Sequence, residues 1–386
     1  TVIMAASAME VAGGIDFLVR VAEGIIRKNP KQITIVAPLV TYAFTFAAGT
    51  GHIVYPLLPV IYEVAHENGI RPERPMAVAT IASQQAITAS PVSAATAAMI
   101  GLLAPHGYGL IQILLICVPA TLLAVFIAAL IQLRVGKDLK DDPEYQKLLA
   151  SGELQPAGQS KGGVQGELKS GSKASALIFL AGVAVVVLAG IFPALRTVGG
   201  SGAEPVVMTM PVSIAIIMLA VAALILTVCK APVNDVPRSK TCQSGVTAII
   251  GILGLAWLGD TFINANRDTI IGGLSDMATA APWTFAIGLF VASMLLYSQA
   301  ATARALMPLG LSLGIPPAFL IGMFPAVNGY FFIPNYGTLI AAMQFDRSRT
   351  TRIGKYLLNH SFMIPGLVCT VGAVAFGLLI GTFFNK

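Results

Sequence analysis

The chain has 386 residues, of which 56% are hydrophobic and only 11% are charged, whereas about 25% are charged in ordinary soluble proteins. This composition excludes a cytosolic enzyme, a secreted disulfide-linked domain and a nucleic-acid-binding protein. It indicates an all-α polytopic membrane protein. The 38 glycines and 23 prolines agree with this class, because membrane helices contain both residues more often than soluble helices do.

Ten apolar stretches are long enough to span or enter a bilayer. In chain order they cover residues 1–13, 33–66, 76–103, 109–133, 174–195, 206–229, 243–259, 283–313, 316–345 and 356–383. We expect the stretches 33–66 and 283–313 to be re-entrant helical hairpins that leave the membrane on the side where they enter it. The other stretches are expected to cross.

Lysine and arginine are distributed unevenly between the two sides that this topology predicts. Twenty of the 24 basic residues fall on one side, three fall on the other, and Arg304 lies within an apolar stretch. By the positive-inside rule the first side is cytoplasmic, which places the 134–173 loop in the cytoplasm and the C-terminus in the periplasm. If either hairpin crossed instead, every later loop would change sides and the bias would disappear. The +6 net charge therefore reflects topology and not an acidic partner.

The sequence also contains an internal repeat. Three pairs of segments share their order and spacing, at offsets of 245, 249 and 243 residues: 14–17 with 259–262, 50–59 with 299–308, and 90–93 with 333–336. We infer a first repeat at 1–133, a linker at 134–173 and a second repeat at 174–386. Two passes of the second repeat have no counterpart in the first, so we expect two more helices ahead of Thr1. With them, the two repeats would be inverted in the membrane.

The 134–173 segment is the one long polar stretch of the sequence. It is interpreted as a solvated linker, and the alternative is a regulatory loop that docks a cytoplasmic or sensor partner. The four cysteines show no CxxC spacing and the four histidines are scattered, so neither a metal site, a disulfide nor a cofactor is expected. The expected partners are membrane lipid and further copies of the chain in a homo-oligomer, with a dimer favoured, and no nucleic acid.

Polar interruptions at membrane depth mark the candidate site in the first repeat. Residues 48–52 (AGTGH) break the first hairpin into two arms of about 15 residues, and each arm is short of the roughly 20 residues needed to cross. The crossing stretch that follows is broken at residues 83–93 (SQQAITASPVS). Within it, Ser90 is predicted to be an N-cap and Pro91 the first residue of a new half-helix.

The second repeat has the same two features, a polar hairpin tip and an interrupted crossing helix. Residues 297–304 (YSQAATAR) form the predicted tip of its hairpin, and Asn328-Gly329 and residues 334–338 (PNYGT) interrupt its crossing helix. Non-helical backbone at this depth persists only inside protein or beside water. We therefore expect both tips and both interruptions to meet near the midplane, and each half-helix beyond them to point its partly positive N-terminus there.

Together with Arg304, these N-termini indicate a site for an organic anion. The predicted substrate-binding residues are Thr50, Gly51, His52, Gln85, Ser90, Pro91, Ser93, Gln299, Thr302, Arg304, Asn335 and Thr338. Arg304 is interpreted as a bidentate partner of a substrate carboxylate. The alternative is a side chain that extends to the membrane interface or pairs with a backbone carbonyl. His52 either donates a hydrogen bond at the tip or acts as a pH-sensitive group.

Several longer motifs resemble those of one known family. They are GTGH at 49–52, RPERPM at 71–76, ASPVS at 89–93, WLGDTF at 257–262, LYSQAATA at 296–303 and NHSF at 359–362. They resemble the anaerobic C4-dicarboxylate transporter (Dcu) family of bacterial inner membranes over essentially the whole chain. The resemblance implies uptake, efflux and exchange of fumarate, succinate, malate and aspartate, and further membrane helices ahead of Thr1. It also implies kinship with the ion transporter superfamily, whose members move a hairpin-bearing domain against a scaffold.

Three functions remain open at this point. The favoured one is a secondary transporter that exchanges C4-dicarboxylates by alternating access. A selective organic-anion channel would share the half-helix dipoles but would need a continuous open pore. An intramembrane aspartyl protease would rest on Asp16 and Asp260, although both lie near helix ends and a catalytic carboxyl pair has to be close together.

Overall fold

A computed structural model of the chain describes residues 2–154, 168–199, 206–239, 241–243, 246, 261, 265, 281, 283–296 and 298–385. Helices dominate these ranges. The first helices are α1 (Val2–Val11), α2 (Gly14–Lys28), α3 (Ile33–Ala48), α4 (Leu57–Glu67), α5 (Glu73–Ala89), α6 (Ala94–Leu103), α7 (Leu110–Gln132) and α8 (Pro143–Ala150).

The later helices are α9 (Ser172–Ile191), α10 (Met210–Val228), α11 (Thr284–Leu296), α12 (Gln299–Ser312), α13 (Pro317–Met323), α14 (Gly337–Phe345) and α15 (Met363–Gly381). Two short strands, β1 (Thr197–Val198) and β2 (Val206–Val207), pair antiparallel between α9 and α10. Several predicted features lie outside the described residues. They are most of the 243–259 stretch, Gly259 and Asp260 of the repeat, Arg267, Tyr297 and residues 155–167 of the linker.

Six described segments are long and apolar enough to cross a membrane. They are Pro30–Ala48, Glu73–His106, Leu110–Gln132, Ser172–Ile191, Met210–Val228 and Met363–Gly381. The chain is therefore an all-α polytopic membrane protein. Both arms of the first hairpin were expected to be too short to cross the membrane. For its first arm this expectation is wrong, because a 3₁₀ turn ahead of α3 extends the helical segment to 19 residues. Re-entry of the two hairpins and inversion of the two repeats stay predictions.

The expected interruptions in the first repeat are present, with one correction. The 3₁₀ turn Gly51–Val54 separates α3 from α4, and the 90–93 turn separates α5 from α6. Ser90, however, ends α5, and the N-cap of α6 is Ser93. The Ser93 hydroxyl accepts a hydrogen bond from the backbone N–H of Thr96 at 3.0 Å, whereas the Ser90 hydroxyl donates to the carbonyl of Phe46 at 2.7 Å. Pro91 therefore lies in the turn and does not begin the half-helix.

The second repeat is interrupted at the predicted places. Helices α11 and α12 occupy the predicted hairpin and pack against each other, and α12 begins directly after Ser298, its N-cap. The crossing stretch consists of α13, a 3₁₀ segment Phe324–Phe331 with non-helical dihedral angles at Asn328, and α14. Because α12 starts at Gln299, Arg304 lies within the helix and not at the hairpin tip.

The packing of the helices brings the interruptions together. Helix α5 packs against α3 and α7, α7 packs along α15, α12 packs on α6, and α11 packs on the Phe324–Phe331 segment. Glycine permits the closest of these contacts. A Cβ built on Gly322 of α13 would lie 2.6 Å from the backbone of Gly377 in α15, so the two backbones touch.

The first part of the predicted linker is docked on the rest of the chain. Asp142 is the N-cap of α8 and also accepts a hydrogen bond from the Arg71 guanidinium at 2.5 Å, while Tyr145 of α8 hydrogen-bonds the His66 ring at 3.1 Å. Burial raises the pKa of Asp142, but the hydrogen bonds from Arg71 and the Tyr145 backbone and the positive charges of Arg71 and Arg352 together outweigh burial. They hold this pKa below its ordinary value. The role of the whole 134–173 segment as a linker stays a prediction.

Candidate functional site

Two neighbouring glutamines of α5 lie at the centre of the interrupted helices. Gln84 is 1% exposed and Gln85 is fully buried, although both belong to a candidate membrane span. A buried carboxamide that is not hydrogen-bonded is destabilising by a few kcal/mol. The surrounding helices therefore have to supply polar partners at this depth.

Those partners come from the second half of the chain. Gln299, the first residue of α12, donates its Nε2 to Gln84 Oε1 at 3.0 Å and to Asn328 Oδ1 at 3.2 Å. Asn328 in turn donates its Nδ2 to Gln85 Oε1 at 3.2 Å. The Gln85 Nε2 donates to Thr370 Oγ1 of α15 at 3.1 Å. These five side chains are called the amide cluster below, and they join α5, α12, the Phe324–Phe331 segment and α15.

The tip of the first hairpin touches the same cluster. Gly51 lies so close to Gln84 that a Cβ there would overlap its Nε2. Gly49 adopts a φ of +71°, and a Cβ at this position would lie 2.8 Å from the Val92 carbonyl oxygen. The tip is therefore packed between the amide cluster and the break that separates α5 from α6.

Two capped helix starts adjoin the amide cluster. Ser298 accepts a hydrogen bond from the Ala301 N–H at 3.2 Å and so caps α12 immediately before Gln299. Thr50 caps the Gly51–Val54 turn with a longer bond of 3.4 Å from the His52 N–H. A capped helix start exposes further backbone N–H donors and a partial positive charge. An anion at the amide cluster would face neutral donors together with these helix ends.

None of the other predicted residues is hydrogen-bonded to the amide cluster among the described residues. The His52 ring stacks on Tyr55 at a centroid distance of 5.8 Å. Thr302 is buried and donates to the Ser298 carbonyl at 2.9 Å. Thr338 is buried, and its hydroxyl has no partner in the described part of the chain. Asn335 is exposed.

Arg304 is exposed on α12 and makes no hydrogen bond or ion pair with the described residues. At 3.6 residues per turn it lies about 140° around the helix from Gln299. The role of this guanidinium as a carboxylate partner stays a prediction.

The sequence-based set missed three members of the amide cluster: Gln84, Asn328 and Thr370. Gln84 and Asn328 lie within interruptions that the sequence had marked, so their position in the chain was visible although their contacts were not. Thr370 is a lone hydroxyl in the apolar helix α15. Its role depends on a contact with a residue 285 positions away, which no local pattern reveals.

The chemistry of the amide cluster is neutral. Within the described residues no charged side chain hydrogen-bonds to it, and no group of three or more metal-ligating side chains is present. All four cysteines are free. Buried amides gathered where helices are interrupted inside an apolar bundle are typical of multi-pass membrane transport proteins.

Comparisons with known proteins identify the family. A family model described as "Anaerobic c4-dicarboxylate membrane transporter" matches residues 1–385. The C4-dicarboxylate transporter DcuA of Escherichia coli (strain K12) is 45% identical over 385 residues, which cover 99% of this chain and 87% of that protein. DcuA of Wolinella succinogenes is 45% identical over 380 residues, 98% of this chain and 86% of that protein.

A more distant relative is the anaerobic C4-dicarboxylate transporter DcuB of Escherichia coli O6:H1, which is 36% identical over 391 residues, 100% of this chain and 87% of that protein. No solved structure matches the chain. The chain belongs to the anaerobic C4-dicarboxylate transporter family, as its motifs predicted, and it is a transporter and not an enzyme. The protease interpretation is therefore wrong. Asp16 is exposed on α2, and Asp260 lies outside the described residues.

Proposed function

We propose that this protein exchanges C4-dicarboxylates across the bacterial inner membrane, taking up fumarate, malate or aspartate in return for succinate during anaerobic growth. Relatives named as C4-dicarboxylate transporters support the substrate class. The observation that carries the proposal is the amide cluster, in which Gln84 contacts both the first hairpin tip at Gly51 and the start of the second hairpin's helix at Gln299.

The substrate would bind by replacing hydrogen bonds within the amide cluster. A dicarboxylate offers only acceptors, whereas Gln84, Gln85, Gln299 and Asn328 each carry an NH₂ group with two donors. Each substrate carboxylate can therefore attract amide N–H groups that now bond to neighbouring amides. Arg304 is proposed to turn from its exposed position on α12 to the second carboxylate, because it is the positive side chain nearest in sequence to this end of α12 and is unpaired among the described residues.

Transport is proposed to follow an alternating-access, elevator-type cycle in which the hairpins move with the substrate. The basic segments that the sequence assigns to the cytoplasm support one orientation, since ion pairs join them in space. Arg71 pairs with Asp142 of the 134–173 segment, and Arg352 pairs with Glu144. We propose that this face is cytoplasmic, that the C-terminus is periplasmic and that the protein forms a homo-oligomer, with a dimer favoured. Where the 134–173 segment serves as a docking loop, its proposed partner is a cytoplasmic or sensor protein.

Counterflow in proteoliposomes tests the exchange. Vesicles loaded with labelled succinate should release it only when unlabelled fumarate or succinate is present outside. Release into buffer without dicarboxylate, together with an electrical conductance that does not saturate, would instead support the organic-anion channel.

A single substitution tests the site. Gln299→Glu keeps the size of the side chain but adds a negative charge, and the Gln84 amide can turn over to donate to it. At about 5 Å and an effective dielectric constant of about 20, the repulsion of one substrate carboxylate is about 3 kcal/mol. We therefore expect the KM for succinate to rise about a hundredfold at normal membrane insertion. An unchanged KM would remove the amide cluster from the substrate path.

A further inference from the structure

A small hairpin just ahead of α15 has an unusual surface. Ile353 and His360 form an isolated antiparallel bridge, and the backbone N–H of Gly354 donates to the Asn359 carbonyl at 2.5 Å. Arg352 and Ser361 extend the ladder, with the Ser361 N–H donating to the Arg352 carbonyl at 3.1 Å. Residues 353–360 are called the interfacial hairpin below.

The tip of the interfacial hairpin is apolar and exposed. Tyr356 is 66% exposed, Leu357 54% and Leu358 51%, although this segment is not part of a candidate membrane span. Three adjacent large apolar side chains facing water would be unfavourable by about 1 kcal/mol or more each. Such a patch marks a contact with a membrane or another molecule.

A polar cleft of about 560 Å³ lies beneath the interfacial hairpin. Its lining is mixed: Arg71, Glu73, Val135, Gly136, Glu144, Arg352, Ile353, Gly354, Lys355, Asn359, His360, Ser361 and Ile364. The two glutamates already have partners, because Glu73 pairs with Arg71 and Glu144 pairs with Arg352. The Lys355 ammonium forms no ion pair among the described residues and lies 5.6 Å from the Tyr356 ring centroid.

The position of the interfacial hairpin indicates what covers it. His360 lies three residues before Met363, the first residue of the candidate span Met363–Gly381, so the base of the hairpin adjoins the start of a candidate membrane helix. A tyrosine and a lysine beside leucines are typical of protein segments at the membrane–water interface. There the tyrosine ring and the lysine ammonium stay in the headgroup layer. Ile364 of α15 continues the apolar surface and is 46% exposed.

We propose that the interfacial hairpin and its cleft bind an anionic phospholipid. Leu357 and Leu358 insert among the acyl chains, while Lys355 and the amide of Asn359 hold the phosphate over the cleft. The bound lipid fastens the loop between α14 and α15 to the membrane surface, and the site is separate from the amide cluster.

Native mass spectrometry of the full chain in detergent tests this site. The protein is titrated with phosphatidylglycerol and, in parallel, with phosphatidylcholine of the same acyl chains. Lys355→Gln removes the free charge. Lys140→Gln is the matched control, because Lys140 is an exposed lysine that does not line this cleft. One lysine contributes about 1 kcal/mol to binding at an anionic surface.

We expect at least one phosphatidylglycerol to remain bound to the wild type and to Lys140→Gln, and about fivefold weaker retention in Lys355→Gln. Leu357→Ser/Leu358→Ser should weaken retention of the lipid without changing the oligomeric state. Equal retention of both lipids, or equal retention by both lysine variants, would overturn the proposal. Displacement of the lipid by inorganic phosphate at millimolar concentration would show a site for a free anion. Loss of a dimer in the leucine variant would show that a second copy of the chain covers the patch. Either result would also overturn the proposal.

Discussion

Gly51→Ala tests the contact between the first hairpin tip and the amide cluster. Gly51 does not have a positive φ, unlike Gly49, so alanine fits its backbone without strain. The added Cβ would lie 2.8 Å from Gln84 Cδ and closer still to its Nε2. Because Gln84 is only 1% exposed, its amide cannot move out into solvent and has to shift within the protein.

The shift breaks a defined hydrogen bond, which sets the size of the effect. Gln84 Oε1 accepts from Gln299 Nε2 at 3.0 Å, and a neutral hydrogen bond contributes about 0.5–1.5 kcal/mol net. If this contact orders the site for substrate, its loss should raise the KM for succinate by about two- to twelvefold. Valine at this position adds two more methyl groups and should abolish transport.

Initial rates of succinate counterflow in proteoliposomes give the KM, and the amount of reconstituted protein is fixed by quantitative blotting. Gly24→Ala is the control, because a Cβ on Gly24 meets no atom within 4 Å and the residue lies on the exposed face of α2. A Gly51→Ala protein with the wild-type KM and maximal rate would show that the tip of the first hairpin does not affect substrate binding.

Three further substitutions address separate features. Arg304→Lys should reduce dicarboxylate exchange at least tenfold with normal membrane insertion, since a point charge replaces a bidentate fork; near-normal uptake would exclude Arg304 from the site. Burial lowers the pKa of His360, and its hydrogen bond to the Phe332 carbonyl offsets part of this shift. Thermal stability should therefore decline as the pH falls below the unfolded pKa of about 6.5. His360→Asn should remove that decline, and an equal decline in the variant would contradict this. Asp142→Asn should speed amide hydrogen exchange in α8 by roughly tenfold. The exposed control Asp141→Asn should leave the exchange rate unchanged. Equal exchange rates in both variants would show that the Arg71 contact does not hold α8 in place.

The interruptions of the helices were predictable from the sequence because they depend on local chemistry. Glycine, proline and clustered hydroxyl and amide side chains stand out in an apolar stretch, and the structure breaks the helices at those places. The cap of α6 was misassigned because two serines three residues apart both precede helical sequence. Tertiary packing decided between them, since the Phe46 carbonyl takes the Ser90 hydroxyl and leaves Ser93 to cap the helix.

The partners within the site were not predictable in the same way. Gln299 and Gln84 are 215 residues apart, and Gln85 and Thr370 are 285 apart, so only the packing of helices reveals their hydrogen bonds. The same holds for residues 134–154. Their composition is that of a solvated linker, yet Asp142 and Tyr145 become ordered because Arg71 and His66 lie on the surface beneath them.

The amide cluster explains why the proposed cycle favours exchange. In the structure the amides of the cluster bond to one another and to Thr370, so α5 is joined to α12 and α15. In the proposed cycle, a bound dicarboxylate would take over some of those N–H donors and provide acceptors in the middle of the cluster, which would weaken the direct bonds between the helices. The hairpins would then move more easily with substrate than without it. A slow return of the site without substrate would couple the export of one dicarboxylate to the import of another.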